Sequence, residues 1–225
     1  METPNKFHQI CEWIMRFSVA NFMWVVSISP LVLMVVFAVM ADQQAVWVVT
    51  FAAAVTAGPF LFFPATAALF ASVRDFIIKE ADIHPVKDYF RHFRNNYRQA
   101  MLAGFILTAL WAVWAVDYYY LMTFDHFLLV TFAFFGIPLY LFSVYVLMVM
   151  SHFHTSMKDI YRRAFYFTFG APLTSLLILS LTLMLIFISL SGWMFLLVIF
   201  GGSMIAFISF STFYKKILKL QQQHA

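Results

Sequence analysis

Gly58-Pro59-Phe60-Leu61-Phe62-Phe63-Pro64-Ala65-Thr66-Ala67-Ala68-Leu69 is the stretch on which the reading of this chain turns. It lies inside an uncharged run over residues 45–72, longer than the roughly 20 apolar residues that cross a hydrocarbon core about 30 Å thick. Two prolines and a glycine stand in its middle. Each proline removes a backbone donor and clashes with the carbonyl one turn back, so a helix here is expected to kink or break at Gly58, Pro59 and Pro64. Carbonyls freed inside a bilayer must find partners in neighbouring helices, in water, or in a side chain such as Thr66. Small residues on every face, among them Ala52, Ala53, Ala54, Ala57, Ala65, Ala67, Ala68, Ala71 and Ser72, let other helices approach closely and mark this span as the central, most buried one.

Outward from that segment the composition agrees. Of 225 residues, 64% are hydrophobic and only 11% charged, against about a quarter charged in a soluble domain. This excludes a soluble, secreted, disordered or nucleic-acid-binding protein. Long apolar runs rich in Phe indicate helices rather than the alternating strands of an outer-membrane barrel. Further spans are expected at 17–40, 100–120, 127–150, 165–190 and 193–214, with 45–72 as the second of six. The expected fold is therefore all-α: a polytopic membrane helical bundle of six transmembrane helices, forming one membrane domain over residues 1–225. A single cysteine, Cys11, permits no internal disulfide.

All 14 Lys and Arg fall on alternate connections. Lys6 and Arg16 precede span one; Arg74, Lys79, Lys87, Arg91, Arg94 and Arg98 lie between spans two and three; Lys158, Arg162 and Arg163 follow span four; Lys215, Lys216 and Lys219 follow span six. The opposite connections, 41–44, 121–126 and 191–192, have only Asp42, Asp117 and Asp125 as charged neighbours. Since Lys and Arg are retained in the cytoplasm, the expected location is the cell membrane with both termini cytoplasmic. Trp47, Tyr118, Tyr119, Tyr120 and Trp193 on one side, and Tyr97, Tyr161 and Tyr214 on the other, read as interfacial aromatic belts.

Between spans two and three, Pro85 suits the start of a helix. Val86, Tyr89, Phe90, Phe93 and Tyr97 then recur at helical spacing as an apolar stripe, with Lys87, Arg91, Arg94 and Arg98 on an adjoining face. This is the pattern of a cytoplasmic amphipathic helix in the headgroup layer, its basic edge meeting anionic lipid or a protein partner. The same charges would also serve simply to enforce topology.

Apart from Asp117 at the outer end of span three, no charged residue falls within any expected span, and such groups at depth are the usual carriers of chemistry and ion coupling. Asn21 in span one reads as a helix-to-helix hydrogen bond. His152 and His154 are two apart, so they do not share a helix face, and no metal site is expected. Nucleotide-binding, metalloprotease and hydrolase motifs are absent from the sequence. No enzyme, cofactor or catalytic residue is expected.

Three stretches together resemble the YesL family of bacterial membrane proteins, a domain family of unknown function typical of Gram-positive bacteria. They are Val19-Ala20-Asn21-Phe22-Met23-Trp24 leading to Ser29-Pro30; Gly58-Pro59 through Pro64-Ala65-Thr66-Ala67-Ala68-Leu69; and Asp88-Tyr89-Phe90-Arg91-His92-Phe93-Arg94-Asn95-Asn96-Tyr97-Arg98-Gln99-Ala100. The likeness is good over residues 10–110; beyond that only span number and hydropathy look similar. It implies an accessory or regulatory role in carbohydrate (oligosaccharide) uptake, with ABC transporter permease subunits as partners, and brings no catalytic or binding residue. The competing readings are a passive small-solute channel built around the kinked second span and an adaptor for anionic lipid. Either leaves room for a homo-oligomer.

Overall fold

The computed structural model describes residues 6–41, 43–78, 83–123, 126–153, 155–193, 195 and 197–223. Asp42, Lys79, Asp125 and His154, which figure in the sequence reading, lie outside the described residues. The described chain is helical, with no strand: α1 Lys6–Ala41, α2 Gln44–Ala57, α3 Phe62–Ile78, α4 Pro85–Leu121, α5 His126–His152, α6 Met157–Gly170 and α7 Pro172–Leu190, then a π-helical turn Leu197–Gly201 running into α8, Gly202–Gln223.

Four of these helices are long and apolar enough to cross a membrane: α1 from Ile10, α4, α5 from Leu129, and α7 to Ser189. A fifth span is formed if α2 and α3 are taken together across a 55° bend. Within the stretch expected as a sixth span, 193–214, the π-helical turn leads into α8, which continues through Lys215 to Gln223. The fifth expected span, 165–190, is divided at Ala171, because Pro172 begins α7 rather than sitting inside a helix. Residues 165–170 belong instead to α6, whose start is capped by Ser156, its hydroxyl oxygen accepting from the Asp159 backbone N–H.

The break in the second span falls at Gly58–Leu61. Pro59 lies in that turn, whereas Pro64 occupies the first turn of α3, where a missing backbone donor costs no intrahelical bond. The two halves then have opposite fates. Thirteen of the seventeen residues of α3 are buried, from Phe63 to Phe76, and α1, α4, α5 and α8 all pack around it. In α2, by contrast, the one buried residue is Thr50. Within the second span, central burial thus belongs to α3 and not to α2, and its Ala65, Ala67, Ala68 and Ala71 let the neighbours come close. At Gly104 of α4, a Cβ would stand 2.9–3.0 Å from the Phe63 side chain, so the α3–α4 crossing has no room for one.

A larger difference concerns the stretch after Pro85. Instead of a separate surface helix, residues 85–121 form one continuous helix of 37 residues. Nothing between Tyr97 and Ala100 breaks the i to i−4 ladder, so the polar segment and the span are one continuous helix. Its apolar stripe is divided. Val86 and Phe90 are exposed, but Tyr89 is fully buried, its hydroxyl 3.2 Å from both the Ala65 carbonyl oxygen and Ser27 Oγ. That side chain ties α4 to α3 and α1 rather than to lipid headgroups.

Asn21 is also fully buried, and its Oδ1 accepts the Ser203 backbone N–H at 2.9 Å. The π-helical turn just before shifts the backbone ladder, and the amide side chain of α1 supplies the acceptor. Gly202 makes this approach feasible, since a Cβ there would meet Asn21 Oδ1, Leu69 and Trp24 at 3.0–3.1 Å.

Candidate functional site

Two features stand out against the packed bundle: a cavity beside the α2–α3 break, and a buried charge cluster at the end of α3. The cavity has a volume of about 530 Å³ and is walled by α1, α2, α3, α4, α5 and Gly202 and Ile205 of α8. It exists because the 55° bend at Gly58–Leu61 swings α2 away from the axis of α3, leaving space that α1, α4 and α5 border but do not fill. A volume of several hundred Å³ with a mostly apolar wall is the usual form of a small-molecule site. Trp24, Phe62, Phe63, Phe70, Trp111 and Tyr140 supply much of that wall, with no Asp, Glu, Lys, Arg or His among its residues.

Polar groups in the wall are largely engaged. The Trp24 indole N–H donates to Thr66 Oγ1 at 3.1 Å, and the Thr66 hydroxyl donates to the Phe62 carbonyl at 2.6 Å. Trp111 donates to Ser143 Oγ at 3.1 Å, and Ser143 to the Leu139 carbonyl. Tyr140 pairs with Thr182 at 3.0 Å. The Thr108 hydroxyl is a fully buried oxygen in the wall with no hydrogen-bond partner.

The charge cluster begins with Asp75, which is only 2% exposed. Arg74 donates to Asp75 Oδ1 through Nε at 2.9 Å and Nη2 at 2.6 Å, and through Nη1 to the Ser151 carbonyl near the end of α5. His92 Nε2 of α4 lies 3.0 Å from Asp75 Oδ2. Asp88, also buried, accepts the His84 backbone N–H at 3.0 Å and pairs with Arg91 at 2.8 Å. Arg74 thus satisfies one of the carbonyls that a helix leaves free at its C-terminus, and the Asp75–His92 pair holds α3 to α4. Gln99 and Tyr161 extend the same joint, donating to the Thr155 and Ala103 carbonyls at 3.1 and 3.3 Å. Burial pushes the Tyr161 hydroxyl up to about 12, so it remains a neutral donor throughout the physiological range.

The residues singled out in the sequence are distributed unevenly over these features. Gly58 and Thr66 line the cavity; Pro59 sits in the adjoining turn; Pro64 is buried in α3 beside it. Asn21 is one contact removed, against Gly202. Lys87, Arg91, Arg94 and Arg98 all lie exposed along α4, away from the cavity. Sequence reading missed Arg74, Asp75 and His92 as a unit. Arg74 and Asp75 lie just beyond the apolar run of 45–72 and His92 in the polar stretch that follows, so the scan for charges within spans passed over them, although an Arg-Asp pair directly following such a run was the available signal. Trp111, Ser143 and Thr108 were missed because no linear motif joins them. Among the described residues, no group of three or more His, Cys, Asp and Glu side chains is arranged to hold a metal.

Residues 17–118, from α1 through most of α4, match the family described as "Protein of unknown function, DUF624". Over 221 residues the chain is 25% identical to "Uncharacterized protein YesL" of Bacillus subtilis (strain 168), covering 97% of this chain and 93% of the relative. The chain is similar to YesL over nearly its whole length. It is also 25% identical over 224 residues to "Uncharacterized protein YteU" of the same organism, covering 95% of this chain and 86% of the relative. The likeness therefore runs well past residue 110, into the half of the chain where only hydropathy looked similar. No solved structure matches the chain. The matched segment 17–118 contains α1, the broken α2–α3 pair and α4, and so most of the cavity wall, together with Arg74, Asp75 and His92.

Proposed function

We propose that this chain is a non-enzymatic accessory protein of the cell membrane, with both termini cytoplasmic, that assists carbohydrate uptake by packing against the membrane helices of an ABC-type permease. The observation that carries the reading is the unpacked outer half of the α1–α2 hairpin. Val32, Leu33, Val36, Phe37, Val39 and Met40 of α1 and Trp47, Val48, Val49 and Phe51 of α2 are exposed. Helix association within a bilayer rests on close packing, and this pair leaves most of its surface unpacked by its own chain. The orientation is supported by bonds joining residues 74, 75, 92, 99, 151 and 155, which gather the basic helix ends on one side. Tagged protein solubilised in mild detergent is expected to retain permease subunits, and deletion to slow growth on oligosaccharides. If no permease subunit is retained and growth is unchanged, the reading is wrong.

A second reading is favoured by one specific arrangement. Lys87, Arg91, Arg94 and Arg98 form a continuous exposed basic stripe on α4, with exposed Val86 and Phe90 beside it. That geometry suits anionic headgroups at about 1 kcal/mol per charge. Replacing Arg91, Arg94 and Arg98 with Gln is expected to reduce binding to vesicles containing phosphatidylglycerol several-fold, most strongly at low salt, with helical content unchanged. Unchanged vesicle binding would remove this reading, and inverted topology would assign the stripe to orientation alone. A sugar-conducting channel has less support, since the cavity wall offers few hydrogen-bonding groups.

A further inference from the structure

The cavity at the α2–α3 break has a wall too specific for a packing defect. We propose that it is a binding site for an uncharged long-chain lipid whose head is a single hydroxyl or carbonyl group. This inference does not depend on the accessory role above.

Three observations select that chemistry. First, the wall is apolar and aromatic over about 530 Å³. Such a space does not retain water, and left empty it would deny its lining side chains their dispersion contacts. Hydrocarbon is the filler a membrane supplies. Second, none of the wall residues is Asp, Glu, Lys, Arg or His, so a charged head would enter without a counter-ion. Phosphorylated and carboxylate lipids are disfavoured on that ground. Third, the Thr108 hydroxyl is buried, faces the cavity and lacks a partner, whereas the indole N–H groups of Trp24 and Trp111 are already spent on Thr66 and Ser143. A buried hydroxyl able to donate and accept calls for a polar group on the ligand.

The local architecture explains why that hydroxyl is reachable. A Cβ placed on Gly58 would stand 3.6 Å from Thr108 Oγ1, so the glycine at the break opens the space in front of it. Access from the surrounding lipid is provided by α1 and α3, where Val35 and Phe62 both line the cavity and remain exposed. The α2–α3 bend thus does more than accommodate a proline: it creates a pocket whose wall carries a buried hydrogen-bonding group.

A hexadecanol bearing a photoreactive diazirine, applied to the full-length protein in nanodiscs, tests this. Saturable labelling is expected on peptides containing Trp24, Met34, Phe63 or Thr108, displaced by unlabelled hexadecanol at concentrations where hexadecane and palmitate compete weakly. Thr108→Val, which keeps the shape, should weaken the alcohol's apparent affinity by about three- to tenfold while leaving labelling by a hexadecane probe unchanged. Ala54→Phe, which fills the wall from α2, should abolish saturable labelling by both probes. Labelling that is unsaturable, or that maps to the exposed faces of α1 and α7, overturns the site. Equal competition by alcohol and hydrocarbon, with Thr108→Val indistinguishable from the parent, overturns the hydrogen-bonded head.

Discussion

Asp75→Ala is expected to lower the unfolding free energy of the protein in mild detergent by about 3–5 kcal/mol, the range found when one partner of a buried ion pair is removed. The carboxylate is almost inaccessible and holds two cationic or potentially cationic groups from different positions, Arg74 on its own helix and His92 on α4. Without it the Arg74 guanidinium stays between α3 and α5 with the Ser151 carbonyl as a partner but no counter-ion. Asp75→Asn keeps the shape and an acceptor, and should cost about 1–3 kcal/mol. Thermal unfolding followed by the helical circular dichroism signal separates these values. A difference under about 0.5 kcal/mol for Asp75→Ala would mean that the cluster is fully hydrated and contributes no cohesion. In a double-mutant cycle, Arg74→Gln combined with Asp75→Asn should cost less than the sum of the two, because the orphaned charge is removed with its partner.

Gly104→Leu is expected to destabilise the bundle by about 3 kcal/mol through overpacking at the α3–α4 crossing. Even a methyl group there would stand 2.9–3.0 Å from the Phe63 side chain, closer than any relaxed contact, so the two helices must move apart. That crossing is the largest helix–helix contact of the bundle, and Phe63 also forms part of the cavity wall. Gly104→Ala should show the same effect more weakly, at about 1 kcal/mol. Phe63→Ala alone should be destabilising by about 3–5 kcal/mol through the space it vacates. Combined with Gly104→Leu, it should recover at least about 1 kcal/mol of the summed loss, since the added leucine occupies the vacated volume. Strict additivity in unfolding measurements would show that the two side chains do not meet.

These expectations rest on contacts that hydropathy does not register. The break near Gly58–Pro59 is legible in the chain because proline acts locally, through its missing donor and its ring. Whether Pro64 deepens that break is not local. It depends on where the next helix starts, and starting at Phe62 places Pro64 in the first turn, where it is harmless. Likewise, the spacing of Val86, Tyr89, Phe90, Phe93 and Tyr97 announces an amphipathic helix but does not say what covers its apolar face. Tyr89 turned to the Ala65 carbonyl and Ser27, so protein rather than lipid covers part of it.

From its sequence alone the chain is an α-helical, membrane-like protein that resembles YesL and has a second apolar segment broken by proline. These properties follow from windows of some twenty residues, over which transfer free energies add and backbone donors can be counted. Only the tertiary structure decided that α3, not the whole second span, is the centre of the bundle, that Arg74, Asp75 and His92 form one buried cluster, and that a cavity opens where α2 leaves α3. Each of these depends on pairs of residues far apart in the chain, Arg74 with Ser151, Trp24 with Thr66 and Asn21 with Ser203. Their juxtaposition is set by how several helices pack together, and no single helix carries that information.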